Sequence, residues 1–183
     1  YGDGDIPTGA GSADVIIAGQ ATSNNFGISL TVGDFNDDGT EDLAVGATGY
    51  STNTGRTYIF YGDGSIPTTA ATADVIITGG ATFNNFGSSL TTGDFNNDGR
   101  DDLVVGADNY SSQAGRVYIF YGDGSIPTTA ATADVTITGE ANSIFGSSLT
   151  TGDFNDDGTD DLVIGAYFYS IGQGRVYLFY NDG

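Results

Sequence analysis

Residues 26–47 read FGISLTVGDFNDDGTEDLAVGA, and the same frame returns as FGSSLTTGDFNNDGRDDLVVGA at 86–107 and FGSSLTTGDFNDDGTDDLVIGA at 145–166. Each copy places a β-branched, apolar run on either side of an acidic loop that turns on a glycine. Working outward, the similarity extends in both directions. Residues 61–78 read YGDGSIPTTAATADVIIT, 121–138 differ only at Thr136, and 1–18 are a looser version. Self-similarity at a fixed period of this length points to stacked supersecondary units, none able to bury its apolar face alone. The units are 1–60, 61–120 and 121–183. The last is one residue shorter within GEANSIFG, and its tail from Tyr180 repeats the opening of a unit.

Four strand-like runs recur in each unit. They are ADVIIAG, ADVIITG and ADVTITG at 13–19, 73–79 and 133–139; the FG run from Phe26, Phe86 and Phe145; DLAVGA, DLVVGA and DLVIGA from Asp42, Asp102 and Asp161; and GRTYIFY, GRVYIFY and GRVYLFY from Gly55, Gly115 and Gly174. All are rich in β-branched and aromatic residues and bounded by Gly, Asn, Asp and Ser. No 3.6-residue period is sustained, so the expectation is an all-β chain with a helical turn at most in the connector IPTTAATAD. Four strands per repeat with short turns predicts β-propeller blades of four antiparallel strands, three per chain. Alternating Tyr58, Phe60, Tyr118, Phe120, Tyr177 and Phe179 are expected to pack between blades.

The acidic loop reads DFNDDGTED, DFNNDGRDD and DFNDDGTDD. Oxygen-bearing side chains stand at positions 1, 3, 5 and 9: Asp34, Asn36, Asp38 and Asp42; Asp94, Asn96, Asp98 and Asp102; Asp153, Asn155, Asp157 and Asp161. Position 7 (Thr40, Arg100, Thr159) varies in side chain, as suits a backbone carbonyl ligand. Glycine at position 6 permits the positive φ of a tight curl. Ca²⁺ takes six to eight oxygens at about 2.3–2.6 Å, whereas Mg²⁺ prefers a small octahedron that keeps several waters. Two carboxylates about 5 Å apart repel by about 3 kcal/mol at an effective dielectric of 20, so such a cluster gains from a cation. The expectation is three Ca²⁺ ions per chain, one per repeat. The loop is not an EF-hand: that motif needs Glu at position 12, which here is Val45, Val105 or Ile164. The competing reading is an Asp/Asn/Gly hairpin turn without an ion.

Composition limits the chemistry. The chain of 183 residues carries 24 acidic residues, four Arg and no Lys, for a net charge of −20, and it lacks Cys, His, Met and Trp. Thiol, imidazole and Schiff-base chemistry are thereby excluded, as are disulfides. A polyanion of this size repels nucleic acid. No apolar run reaches the roughly 18 residues of a membrane helix, so no membrane insertion is expected. The first residue is Tyr1 rather than Met, which suggests a mature or trimmed piece. Arg56, Arg116 and Arg175 hold one equivalent position and are expected to make structural ion pairs or cap carbonyls, with ligand recognition as the alternative. Tyr50, Tyr110 and Tyr169 recur in the most variable loops, where a glycan or protein contact is conceivable.

With these residues in view, the chain resembles the FG-GAP repeats of integrin α-subunit propellers and their bacterial relatives. Phe26-Gly27, Phe86-Gly87 and Phe145-Gly146 match the FG; Gly46-Ala47, Gly106-Ala107 and Gly165-Ala166 match the GA; Thr48, Asp108 and Tyr167 replace the Pro. The acidic loop matches the calcium loop of that family. The resemblance implies a propeller with Ca²⁺ on loops at one face, usually in extracellular or cell-surface proteins that bind proteins or sugars or serve as scaffolds. Family propellers commonly have seven blades, and three do not close a ring. By register, the third blade lacks its last strand and residues 13–19 are a spare one. Three arrangements stay open: a six-bladed homodimer, a head-to-tail filament, or part of a longer propeller. The function expected is a non-enzymatic, calcium-binding extracellular module for adhesion, scaffolding or surface assembly, with a lectin-like, carbohydrate-binding propeller as the alternative.

Overall fold

The computed structural model describes residues 8–182. The first seven residues of the opening unit, and Gly183, lie outside them. The first sheet contains β1 (Phe26–Gly33), β2 (Asp42–Ala47), β3 (Arg56–Phe60) and β4 (Val75–Thr78), antiparallel and in chain order. The second repeats it with β5 (Phe86–Gly93), β6 (Asp102–Ala107), β7 (Arg116–Phe120) and β8 (Val135–Thr138). The third contains β9 (Phe145–Gly152), β10 (Asp161–Ala166) and β11 (Arg175–Phe179). Three antiparallel blades therefore follow the three repeats, and the third has three strands among the described residues.

Register is the same throughout. Gly33 faces Asp42, Gly93 faces Asp102 and Gly152 faces Asp161 at the acidic-loop end. Ala47 faces Arg56, Ala107 faces Arg116 and Ala166 faces Arg175 at the other. Each IPTTAATAD connector forms one short 3-10 turn, Ala70–Thr72 or Ala130–Thr132, with Thr69 or Thr129 accepting a hydrogen bond from the following Ala71 or Ala131 amide. The loops Tyr50–Asn53, Tyr110–Gln113 and Tyr169–Gly172 each form a single tight turn with left-handed backbone. Ser51 and Thr52, for instance, have φ of 45° and 58°. A left-handed turn of non-glycine residues is costly, and it recurs in all three repeats.

One expected strand is missing. Residues 13–19 join no sheet and make one parallel bridge, Ala18 to Thr69. That bridge is the counterpart of Thr78 to Thr129, by which β4 touches the next blade. The segment thus occupies the place of a fourth strand. Among the described residues no strand lies beside it in the position that β3 holds beside β4 and β7 beside β8.

The core is built by stacking. β1, β5 and β9 run side by side. Ser29 Oγ donates to Gly87 O (2.8 Å), Ser89 Oγ to Gly146 O (2.6 Å) and Thr151 Oγ1 to Thr92 O (2.7 Å). Val104, Val117 and Ile119 of the second sheet form one apolar cluster with Phe145, Leu162, Ile164 and Ala166 of the third. The FG phenylalanine meets the strand aromatics edge-on: Phe86 lies 5.4 Å from Tyr118 and 6.3 Å from Phe120, and Phe26 repeats this with Tyr58 and Phe60. Full burial of such a side chain contributes about 1.5–3 kcal/mol. The glycine of GA is dictated by closeness: a Cβ on Gly46 would stand 2.1 Å from Gly87 O, and one on Gly106 2.4 Å from Gly146 O.

Candidate functional site

The acidic loops join the first and second strands of every sheet. Position 4 (Asp37, Asn97, Asp156) has φ near 60° and position 6 (Gly39, Gly99, Gly158) φ of 84–88°, so two left-handed residues curl the chain within three positions. Asn and Asp tolerate that region better than other non-glycine residues. Side chains fix the curl. In the first loop Asp34 accepts from the amides of Asp38 (3.0 Å) and Gly39 (2.7 Å), and Asn36 Oδ1 also accepts from Asp38 N (3.0 Å). Asp38 in turn accepts from Asn36 Nδ2 (3.0 Å), Thr40 N (2.9 Å) and the Thr40 hydroxyl. Asp94, Asn96 and Asp98 repeat this set, as do Asp153, Asn155 and Asp157, with Arg100 and Thr159 donating through their backbone amides. Hydrogen bonds from Thr40 and Asn36 hold the Asp38 carboxyl below its ordinary pKa, and those from Thr159 do the same for Asp157.

Position 9 is different in kind. Asp42, Asp102 and Asp161 are buried. Asp42 Oδ2 accepts from Phe35 N (3.0 Å) and Oδ1 from Gly62 N (2.8 Å). Asp102 does so with Phe95 and Gly122, and Asp161 with Phe154 and Asn181. Each therefore ties the acidic loop to the chain that follows the third strand. Burial pushes the Asp102 carboxyl up to about 6 despite those two amides, with Asp98 and Asp94 adding to the rise, and it raises Asp42 in the same direction.

The donor set is all oxygen: three carboxylates, one side-chain amide and the position-7 carbonyl, with spare lone pairs on carboxylates that each accept one or two amides. By type it suits a hard cation. Among the described residues no three acidic side chains converge into a metal-holding group on their own.

Sequence reasoning assigned no role to position 8, although Glu41, Asp101 and Asp160 are acidic in every copy, which was the available signal. Asp101 Oδ2 accepts from Asp34 N of the preceding loop (2.8 Å), and Asp160 Oδ2 accepts from Asp94 N (3.0 Å). Arg100 pairs with Asp37 at 3.0 Å. Adjacent loops are thus bonded across blades. At the far end of the strands each arginine lies over a tyrosine ring: Arg56 on Tyr50, Arg116 on Tyr110 and Arg175 on Tyr169, at 3.4, 3.8 and 3.6 Å from the ring centre.

Successive antiparallel sheets, two of four strands and one of three among the described residues, tied through their first strands and carrying one acidic loop apiece, define a β-propeller repeat protein. A family model described as FG-GAP repeat matches residues 26–60, 86–120 and 145–179, and the chain belongs to that family. It is 36% identical over 175 residues to phosphatidylinositol-glycan-specific phospholipase D of Homo sapiens, covering 85% of this chain and 20% of that protein. It is 33% identical to integrin alpha-5 of Xenopus laevis and 35% identical to integrin alpha-IIb of Mus musculus, covering 84% and 81% of this chain and 15% of each integrin. The chain spans about a fifth or less of the length of these relatives. Among the described residues no helix is long and apolar enough to cross a membrane.

Proposed function

We propose that this chain is a non-enzymatic, extracellular β-propeller module for adhesion, scaffolding or surface assembly, stiffened by one Ca²⁺ in each acidic loop. The observation that carries the reading is the threefold recurrence of one loop with the same oxygens, the same left-handed turns and the same internal hydrogen bonds. Asp34, Asn36, Asp38 and Asp42 with the Thr40 carbonyl would hold the first ion, and the equivalent residues the other two. Affinities of about 10⁻⁴–10⁻³ M are typical of extracellular Ca²⁺ modules, and an ion bound at that strength suits calcium levels outside the cell. Against catalysis by this chain stand the lack of His, Cys and Lys, and the engagement of its clustered acids in triplicate loops. One similar protein is by name a phospholipase D and others are integrin α-subunits, so repeats of this kind accompany more than one activity.

Binding only to the folded state stabilises it by about 1.4 kcal/mol per site at about 10 Kd of free ion. Calcium at several millimolar should therefore raise the melting temperature by several degrees, and EDTA should reverse it. Asp38→Ala should remove one of three sites in a calcium titration. An unchanged melting curve with and without the ion would sink the calcium reading.

We further propose that two copies associate, with residues 13–19 of one adding to the free edge of β11 in the other. The support is that this segment repeats β4 in sequence and already makes the β4-type bridge, while among the described residues β11 is paired on one side only. Light scattering should give the mass of a dimer; a folded monomer at all concentrations would rule it out.

A further inference from the structure

The first and third repeats finish their arginine–tyrosine cluster with an acceptor from the preceding loop. Arg56 Nη1 and the Tyr58 hydroxyl both donate to Gln20 Oε1, each at 3.0 Å. Arg175 Nη1 and the Tyr177 hydroxyl both donate to Glu140 Oε1, at 2.9 and 2.8 Å. The middle repeat has the same donors. Arg116 lies over Tyr110, its Nε donates to Thr138 Oγ1 (2.8 Å), and Tyr118 is its neighbour on the strand. The residue at the acceptor position, however, is Gly80, and among the described residues no carboxylate or amide oxygen takes the terminal nitrogens of Arg116.

In place of that side chain is a cavity of about 510 Å³. Gly80, Tyr110, Arg116 and Tyr118 line it, together with Asn84 and Thr136. Asn84 is 8% exposed, and its side-chain amide makes no hydrogen bond among the described residues. Its amide atoms are not sealed from solvent, so a ligand hydroxyl can take the place of water there. The volume falls within the range of small-molecule sites.

We propose that this cavity binds a small, hydroxylated carboxylate the size of a uronic-acid residue, its carboxylate taking the position that Glu140 takes in the third repeat. The guanidinium of Arg116, held flat by Tyr110, and the Tyr118 hydroxyl supply charge-assisted hydrogen bonds to the carboxylate. Asn84 and Thr136 supply an amide and a hydroxyl for ligand hydroxyls. The third repeat shows that these donors accept a carboxylate at hydrogen-bonding distance, so the ligand group replaces what Gly80 leaves out. The overall charge of −20 disfavours an anion at long range, but screening confines that penalty to about 8 Å at physiological ionic strength. The site stands at the end of the strands remote from the acidic loops and does not depend on a cation there.

The test is calorimetric titration of the whole chain with glucuronate, its methyl ester and glucose, at physiological salt with calcium present. Glucuronate should bind with Kd of about 1 mM, and the two neutral probes at least about tenfold more weakly, the loss expected for one charge-assisted pair. Gly80→Glu supplies the missing carboxylate from within. A Cβ at Gly80 meets nothing within 4 Å, so no backbone clash opposes the substitution, and circular dichroism checks that the variant is folded. It should lose glucuronate binding by about tenfold or more and melt no lower than the parent. Gly80→Gln, which copies the first repeat, should block the site likewise. The proposal is overturned if glucuronate does not bind, if glucose binds equally well, or if the folded Gly80→Glu variant keeps the parent affinity.

Discussion

The middle blade and the outer faces of the end blades carry nearly the same residues in opposite surroundings. Leu90 of β5 is 8% exposed, while Leu30, its equivalent in β1, is 61% exposed beside exposed Ile28 and Val32. Val117 and Phe120 of β7 are buried completely, while Val176 and Phe179 of β11 are 69% and 39% exposed. The strands have the same register and length, so the difference does not lie in local structure. It lies in whether another sheet stands alongside. In this fold a repeat defines which atoms are apolar, and the neighbouring repeat decides whether they are out of water.

That contrast can be broken by experiment, most severely with the aromatics. Phe120→Ala should cost about 3–5 kcal/mol of unfolding free energy; Phe179→Ala should cost well under half of that at concentrations too low for association and approach it where two copies associate, both read by urea denaturation. Equal costs would mean that β11 is covered in solution, as association through residues 13–19 requires. Next come the glycines. In Gly106→Ala the new Cβ meets the Gly146 carbonyl oxygen across the blade boundary, and Gly46→Ala meets Gly87 likewise. A loss of about 3 kcal/mol is expected for either. Gly165→Ala meets only the Ser148 side chain, which can rotate away, and should cost less.

A pH effect separates the blades more gently. The Asp102 carboxyl is raised to about 6 by burial, against about 3.9 in an unfolded chain. Between those values the folded state binds the extra proton, so stability falls as pH rises through the window and the ionised acid disfavours the fold above it. In EDTA the melting temperature should therefore drop between about pH 4 and pH 7, and Asp102→Asn should flatten the drop. Smallest of all, Arg100→Ala removes an exposed pair with Asp37 between neighbouring loops, and should change stability by no more than about 1 kcal/mol, less at high salt.

Much of the architecture was legible in the residues. The strand runs, the three blades, the acidic loops and the shortage of a fourth strand in the last sheet all follow from the repeat and its phase. The role of residues 13–19 was not: ADVIIAG reads as a strand because ADVIITG is one, yet a strand needs a partner that periodicity cannot supply. The cross-blade work of Asp101 and Asp160 was hidden for the same reason, since a hydrogen bond 66 or 67 residues away leaves no local pattern. Gly80 opposite Arg116 was visible as a difference between copies, but it acquires meaning only once Gln20 and Glu140 are seen touching Arg56 and Arg175.

Sequence alone determined what each segment can become: β-branched runs, left-handed Asp-Gly curls, and an oxygen-only set of potential ligands. Those depend on residues near one another along the chain. Tertiary structure decided which apolar faces are dry, which aspartates are buried against backbone amides, and which arginine is left facing a cavity. Burial and solvation are properties of what packs against a group from elsewhere, and no short stretch of chain contains them.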